Sequence, residues 1–280
     1  MIMEFTKMEA LGNDFVVLNG LTQRLNLDPQ SVRSLADRRR GVGCDQVLVA
    51  EAANDPRADV RYRIYNADGS EAEHCGNGVR CLARYLVDHG LFSGVSLRVE
   101  TPGRLTTVEI GTAETIRVDM GVPELDPARI PFIAERQQNH YTLATSVGEH
   151  DIGAVSLGNP HAVLRVTDVS EAPVAELGRL LETHERFPKR VNVGFMQICA
   201  RNRIRLRVFE RGAGETPACG TGACAAVVVG RCRGELDAQV TVELPGGQLV
   251  IDWPGPGEPL WMTGPARSVF SGEIRLTSAH

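Results

Sequence analysis

Arg61-Tyr-Arg-Ile-Tyr-Asn-Ala-Asp-Gly-Ser-Glu-Ala-Glu-His-Cys75-Gly-Asn-Gly78 recurs without a gap as Arg205-Leu-Arg-Val-Phe-Glu-Arg-Gly-Ala-Gly-Glu-Thr-Pro-Ala-Cys219-Gly-Thr-Gly222. The offset is 144 residues throughout, and Arg61/Arg205, Arg63/Arg207, Ile64/Val208, Tyr65/Phe209, Glu71/Glu215, Cys75/Cys219, Gly76/Gly220 and Gly78/Gly222 match in identity or kind. Residues 60–65 and 204–209 alternate apolar with polar, which predicts a strand at the head of each copy. A loop of Gly and polar residues follows, then the cysteine. Residues 77–89 put Val79, Leu82, Ala83 and Leu86 on one side and predict a helix with Gly90 as its stop. Residues 222–229 are apolar on every face, with Gly230 next, which predicts a helix enclosed by its own protein.

The repeat runs further upstream. Gly12-Asn13-Asp14-Phe15-Val16-Val17 matches Gly158-Asn159-Pro160-His161-Ala162-Val163, and Gln46-Val47 matches Asn192-Val193, both at an offset of 146. Three landmarks therefore recur in one order: an Asn in a Gly-Asn turn, an amide residue before a strand, and Cys-Gly-x-Gly. A chain of 280 residues is long for one core. The expectation is two domains, 1–120 and 121–265, with a C-terminal segment, 266–280, returning to the first as a strand over 268–276. Further strands are expected at 15–18, 46–50, 96–101, 106–110, 115–120, 154–156, 162–166, 193–198, 239–244, 248–253 and 260–264. Hairpin-length links between them favour antiparallel or mixed pairing. The fold class is α+β: two pseudo-symmetric domains, each a curled, mostly antiparallel or mixed sheet around a central helix, with the active site in the cleft they form.

Composition narrows the function classes. The chain is 42 % apolar and 23 % charged, which is ordinary globular material. A net charge of −5 argues against a nucleic-acid partner, and Arg38-Arg39-Arg40 reads as a solvated helix end. The N-terminus lacks a basic segment followed by an apolar stretch, and the longest apolar run, 223–229, is too short to span a bilayer. A soluble, cytoplasmic protein that does not enter membranes is expected. Seven cysteines, with no C-x-x-C and no paired His set, do not form a metal framework, so no metal is expected. Reduced thiols are the default, most of them small buried core residues. Cys44, Cys81, Cys199, Cys224 and Cys232 take that structural reading.

Cys75 and Cys219 stand apart because each begins a helix. A helix start presents unpaired N–H groups and the positive end of the dipole, which acidify a thiol. The N–H groups of Gly76, Asn77, Gly220 and Thr221 can hold a carboxylate in the same place. A lone helix-start cysteine is usually only a packed hydrophobe; its duplication in a Gly-x-Gly setting favours chemistry. Two thiols on opposite sides of one carbon can take a proton from one face and return one to the other. Removing an α-proton from an amino acid leaves an enediolate-like dianion, so charge stabilisation at the carboxylate oxygens lowers the barrier most. Other glycine readings fail. Gly220-Thr-Gly-Ala-Cys-Ala225 meets the loose dinucleotide pattern, but about ten residues separate it from its strand. No Walker A lysine, S-x-x-K or G-x-S-x-G occurs, and no lysine stands out for pyridoxal phosphate.

Several segments together resemble diaminopimelate epimerases. They are Leu11-Gly-Asn-Asp-Phe15, Gly43-Cys-Asp-Gln46, Asn66-Ala-Asp-Gly-Ser-Glu71, Cys75-Gly-Asn-Gly78, Gly158-Asn-Pro-His161, His184-Glu-Arg-Phe-Pro188 with Asn192, Glu210-Arg-Gly-Ala-Gly-Glu-Thr216, and Ala218-Cys-Gly-Thr-Gly222. The resemblance implies a cofactor-independent isomerase that interconverts LL- and meso-2,6-diaminopimelate, in the supply of lysine and peptidoglycan precursors. It implies that Cys75 accepts the proton and Cys219 donates it in the LL-to-meso direction. It also implies substrate contacts at Asn13, Gln46, Asn66, Gly76, Asn77, Asn159, Asn192, Glu210, Arg211, Gly220 and Thr221. That set suits a ligand with an amino-acid head at each end: amides meet both NH3+ and COO−, and Arg211 can grip the distal carboxylate in a bidentate way. His161 and Glu210 are implied to tune the thiols, and both break the repeat. Glu210 stands where the first half has Asn66, and His161 is paired with the apolar Val16 of the first half. A homodimer, through the C-terminal strand near Phe270, is implied as well. Two alternatives are a related racemase or dehydratase acting on proline derivatives, and a thiol redox sensor that closes a Cys75–Cys219 disulfide.

Overall fold

The computed structural model describes residues 2–72, 75–111 and 115–275. By density of internal contacts the chain divides into two compact units, Met1–Val118 with Thr263–His280, and Asp119–Met262. The division falls within two strands, β8 and β17 below.

The first unit carries β1 (Ile2–Ala10), β2 (Asn13–Asn19), α1 (Pro29–Ala36), β3 (Gln46–Glu51), β4 (Val60–Asn66), β5 (Glu71–Ala72), α2 (Gly76–Asp88), β6 (Ser96–Thr101), β7 (Arg104–Ile110) and the start of β8 (Thr115–Gly121). The second carries β9 (Tyr141–Thr145), β10 (Gly148–Ser156), β11 (Pro160–Arg165), α3 (Val174–Glu182), β12 (Asn192–Ala200), β13 (Arg203–Glu210), β14 (Gly214–Thr216), α4 (Gly220–Cys232), β15 (Gln239–Leu244), β16 (Gly247–Asp252) and most of β17 (Leu260–Pro265). The last strand, β18 (Arg267–Arg275), lies antiparallel on β1, with Ile2 opposite Arg275 and Phe5 opposite Gly272. Residues 276–280, including the last position of the predicted 268–276 strand, lie outside the described residues.

Each unit repeats one pairing scheme. A hairpin (β1–β2, β10–β11) leads to a parallel step (β2–β3, β11–β12), an antiparallel step (β3–β4, β12–β13) and a second parallel step (β4–β6, β13–β15). The registers preserve the sequence repeat: Phe15 faces Gln46 on the neighbouring strand as His161 faces Asn192. The counterpart of His161 is therefore Phe15, not Val16 as the sequence pairing had it.

The two central helices show why their sequences differ in polarity. α2 buries Val79, Cys81, Leu82, Ala83, Tyr85 and Leu86 and exposes a polar edge. α4 buries every residue from Ala223 to Gly230. Each fully buried valine there contributes roughly 1.5–3 kcal/mol. Both helices end the same way. Gly90 (φ 66°) and Leu91 donate to Val87 and Leu86, while Gly234 (φ 72°) and Glu235 donate to Arg231 and Gly230. These are Schellman ends, which need the left-handed conformation that glycine adopts freely. The helix predicted over 222–229 thus runs on through Gly230, and its terminating glycine is Gly234. Gly230 is helical because Leu236 packs on it: a Cβ there would lie 2.4 Å from Leu236 Cδ1.

Six elements escaped the sequence patterns; the two shortest, β5 and β14, fall in the segments read as loops. Strand β1 buries Thr6 and Lys7 among its apolar residues, which spoils the alternation. Strand β9 and the front of β10 are a short hairpin with half its residues exposed. Helix α1 buries only Val32, Leu35 and Ala36, and starts on Asp28, whose side chain accepts from Ser31 N. Helix α3 starts on Pro173 with no side-chain cap bond.

Close packing under α4 gives a stability test. A Cβ at Gly153 on β10 would sit 2.4 and 2.7 Å from the methyls of Val229. Gly153→Ala is expected to lower unfolding free energy by about 1–3 kcal/mol through overpacking. Urea denaturation measures it, and an unchanged midpoint would show that α4 shifts freely on its sheet.

Candidate active site

In both halves the chain arrives at its helix through an extended cysteine: Cys75 has φ −144° and ψ 109°, Cys219 has φ −119° and ψ 106°. The first helical bonds, Val79 N to Cys75 O (3.0 Å) and Ala223 N to Cys219 O (2.9 Å), form one turn later. The N–H groups before them have no partner within the helix and carry its positive dipole end. Among the seven cysteines, Cys44, Cys81, Cys219 and Cys224 are buried, Cys75 and Cys232 are half-buried and Cys199 is exposed. The expectation that Cys199 is a packed core residue is therefore overturned; it lies near the exposed end of β12.

In the first unit, Gly78 N donates to Cys75 Sγ at 3.4 Å. Asn13 Oδ1 lies 3.9 Å from Cys75 Sγ and 3.5 Å from Asn77 Nδ2. The other side of Asn77 accepts from Arg80 Nη2 at 3.0 Å, and the fully buried Arg80 also donates to Pro265 O. Gln46 Nε2 donates to Asn66 Oδ1 (2.9 Å), and Asn66 Nδ2 to Ser70 Oγ (3.1 Å). Of the predicted residues, Cys75, Asn13 and Asn77 thus form one contact group, and Gln46 with Asn66 a second.

The second unit gathers a different set. Cys219 Sγ lies 3.0 Å from Glu210 Oε2 and 3.6 Å from Thr221 Oγ1, and Thr216 donates to the other Glu210 oxygen. Burial pushes the Cys219 thiol well above its ordinary range, and the neighbouring Glu210 carboxylate raises it further. Asn159 Nδ2 approaches Thr221 Oγ1 (3.4 Å), and Asn159 Oδ1 meets His161 Nε2 (3.0 Å). Burial, with a lesser push from Arg211, lowers His161 to about 3, so the ring is neutral. Asn192 spends both ends of its amide on backbone, donating to Pro160 O (3.1 Å) and accepting from Arg211 N (2.9 Å). The Arg211 guanidinium donates to Lys189 O and is exposed.

Three features were missed by sequence reasoning. Arg38 is not merely a solvated charge: it grips Asp14 through both Nη atoms (2.8 and 2.7 Å) and also bonds Asp45 (2.7 Å). Burial opposes ionisation of Asp14, but its bonds to Arg38 and Lys7 hold the carboxyl well below its usual range. Tyr62 is fully buried with no hydrogen-bond partner for its hydroxyl among the described residues. Its Oη would lie 2.3 Å from a Cβ at Gly78, so the glycine is required by the strand beneath it. The equivalent of Tyr62 is Leu206, a difference visible in the sequence but silent without the packing. Among the described residues no cluster of His, Cys, Asp and Glu suits a metal ion, and no helix is long and apolar enough to cross a membrane.

The diaminopimelate epimerase family model matches residues 5–125 and 153–269, spanning both cysteines. The chain belongs to the diaminopimelate epimerase family. It is 69 % identical over 277 residues to a diaminopimelate epimerase of Halorhodospira halophila, covering 99 % of this chain and 96 % of that protein. It is 57 % identical over 278 residues to one of Alkalilimnicola ehrlichii, covering 99 % and 100 %. Among solved structures, a hydroxyproline epimerase from Agrobacterium vitis with bound trans-4-OH-L-proline matches at TM-score 0.70 and 19 % identity, over 98 % of this chain and 92 % of that one. A phenazine biosynthesis protein of the PhzF family from Bacillus anthracis matches at TM-score 0.72 and 16 % identity, over 99 % and 100 %. Those two likenesses show the fold alone. It is the mixed, two-unit fold expected from the repeat.

The neutral, buried His161 ties stability to pH. Its folded value is about 3 against 6.5 for an unhindered histidine. The unfolded chain therefore takes up the proton first, and stability falls as pH drops from about 6.5 towards 3, by up to ~1.4 kcal/mol per pH unit. His161→Gln, which keeps an N–H for Asn159, is expected to lose that part of the slope. Urea denaturation at neutral and mildly acidic pH reads it; identical slopes would mean that His161 is not the group.

Proposed function

We propose that this protein catalyses cofactor-independent interconversion of LL- and meso-2,6-diaminopimelate, with Cys75 and Cys219 as an acid–base pair serving one α-carbon. The supporting observation is the Cys219 thiol, held in its protonated form by burial and by Glu210 at 3.0 Å, with a repeat-related cysteine in the same cap conformation. Family membership and the close relatives supply the substrate.

In the LL-to-meso direction the Cys75 thiolate takes the α-proton. The electron pair of the broken C–H bond spreads into the carboxylate as an enediolate, and the Cys219 thiol returns a proton to the opposite face. The enzyme is left with a Cys75 thiol and a Cys219 thiolate; the reverse reaction, or exchange with water, resets it. Backbone N–H groups of Gly76, Asn77, Gly220 and Thr221 hold the developing charge, which they stabilise more in the transition state than in the substrate. Asn13, Gln46, Asn66, Asn159, Asn192, Glu210 and Arg211 hold the amino and carboxylate groups, with the exposed Arg211 taking the distal carboxylate. Asn192 acts through the backbone as well, fixing Arg211 N. Glu210 and His161 bias the thiols: the first disfavours ionisation of Cys219, and the second keeps Asn159 in place without adding charge. The activity belongs in the cytoplasm, where thiols stay reduced.

A homodimer through the C-terminal strand completes the proposal. Val269 and Phe270 on β18 are 55 % and 51 % exposed, and Phe270 meets Phe5 edge-on at 5.9 Å between ring centres. Such exposed apolar pairs are costly unless covered.

Incubation of reduced enzyme with LL-diaminopimelate in D2O is expected to put deuterium at the α-carbon of the product. Cys75→Ala and Cys219→Ala are each expected to lower kcat roughly 10²–10⁴-fold. Unlabelled product, or full activity in either variant, would sink the two-thiol mechanism. Separately, Phe270→Asp is expected to shift the protein from dimer to monomer in sedimentation. A dimer that persists would place the interface elsewhere.

A further inference from the structure

The two repeat-related asparagines are turned in opposite senses. A side-chain amide shows donors on one side and an acceptor on the other, and its partners decide which is which. Asn13 lies 2.9 Å from Asp45 Oδ2. An ionised carboxylate only accepts, so the Asn13 NH2 must face Asp45. Its carbonyl is left pointing to Cys75 Sγ (3.9 Å) and Asn77 Nδ2 (3.5 Å).

Asp45 is itself fixed from several sides. Arg38 Nη2 donates to Oδ1 (2.7 Å), Asp14 N donates to Oδ2 (3.2 Å), and Asp45 N donates back to Asp14 Oδ1 (2.9 Å). Lys7 Nζ ties Asp14 (2.6 Å) to the Gly43 carbonyl. Asp45 is partly exposed, so its charge is screened; what it transmits is direction, through a hydrogen bond. The second half lacks this assembly. The residues equivalent to Lys7, Asp14 and Asp45 at an offset of 146 are Gly153, Pro160 and Val191. There the neutral His161 ring donates Nε2–H to the Asn159 carbonyl, which turns the NH2 towards Thr221 beside Cys219.

We propose that Asp45 is a positioning residue that locks the Asn13 carbonyl toward Cys75, giving the two halves opposite polarity: an acceptor beside Cys75, a donor beside the Cys219 helix. The proposal rests on the reading of Cys75 as one member of the acid–base pair. A thiolate that faces a carbonyl oxygen is a stronger base than one that faces an N–H. The same oxygen offers a partner to a substrate ammonium, which a turned-over amide would repel. Tyr62 and Cys81 interact electrostatically with Cys75; burial pushes both upward, so neither is charged near neutral pH.

Asp45→Asn tests the lock by inverting it. Arg38 gives a short charge-assisted bond and Asp14 N only a long one of 3.2 Å, so the new carbonyl stays on Arg38 and the new NH2 faces Asn13, which turns over. Its own NH2 then points to Cys75 and stabilises the thiolate. Iodoacetamide alkylation of Cys75 without substrate, read by peptide mass spectrometry with exposed Cys199 as the reference, is expected to move about one pH unit lower. It becomes about tenfold faster at neutral pH, while kcat falls about tenfold or more. A residue that merely supported the fold would not make the thiol more acidic. Should that variant not fold, Asp45→Ala, which frees the amide to take either sense, shifts the profile the same way by less. A Cys75 profile that stays put or moves to higher pH in a folded variant overturns the proposal. Alkylation reads the thiol without turnover, so the substrate assignment can fail while this result stands, and the reverse.

Discussion

The structure depends on a helix start that must be both buried and incomplete. Unpaired N–H groups at the head of α2 and α4 are what can hold a carboxylate and acidify a thiol, yet burial makes unpaired groups unfavourable. The extended cysteine reconciles the two demands: it brings the chain in from the sheet and leaves the following N–H groups open. The helix behind it is then fixed by everything else. Schellman ends at Gly90 and Gly234 satisfy the far carbonyls, and apolar packing clamps the middle. The second glycine of each Cys-Gly-x-Gly belongs to this clamp. Tyr62 Oη and Val208 Cγ2 press so closely on Gly78 and Gly222 that a Cβ would lie 2.3 and 2.9 Å from them. That glycine serves the sheet, which leaves the N–H groups of the first glycine and the residue after it for the carboxylate of the proposed reaction.

From that base the two halves diverge by single residues. Glu210 replaces Asn66 at the end of the equivalent strand and puts a carboxylate 3.0 Å from Cys219, where burial already favours the thiol. Asn66 in the first half instead bonds Gln46 and Ser70 and adds no charge. Beneath α2 the buried Tyr62 hydroxyl stands in place of Leu206, so even the support of the two helices differs in polarity.

The repeat made the architecture legible because strand, loop, cysteine and helix each leave a local pattern, and two copies confirm one another. Strands at 96–101 and 239–244 stand at their predicted bounds. What the pattern did not carry was anything decided by a neighbour distant in sequence. Gly230, next after the predicted 222–229 helix, is an interior helical residue, and only Leu236, packed against it, shows why a glycine stands there. Lys7 hid strand β1, since a buried lysine makes sense only with Asp14 and the Gly43 carbonyl beside it. Arg38 read as a surface charge because neither of its carboxylate partners is adjacent in the chain. The thiols and their helix starts were visible for the opposite reason: their chemistry is written within four consecutive residues.

A duplicated fold poses a problem for acid–base chemistry, because two identical thiols in identical settings would ionise alike. Changing the cysteines themselves would destroy the chemistry, and changing the helices would destroy the cap. The divergence therefore falls on residues around the thiols: Glu210, which touches Cys219 itself, and His161, Asp45 and Tyr62, which touch the thiols' neighbours. Such residues can be exchanged without moving the sheet, since each occupies a position where the other half carries a side chain of another polarity. The result is two sites with the same backbone and opposite hydrogen-bonding sense. In the proposed two-thiol reaction, which runs both ways, each thiol serves as acid in one direction and base in the other, so the difference between them has to stay small. Reorienting an amide is a finer adjustment than adding a full charge, and the proposed Asp45 lock is the first half's counterpart of Glu210.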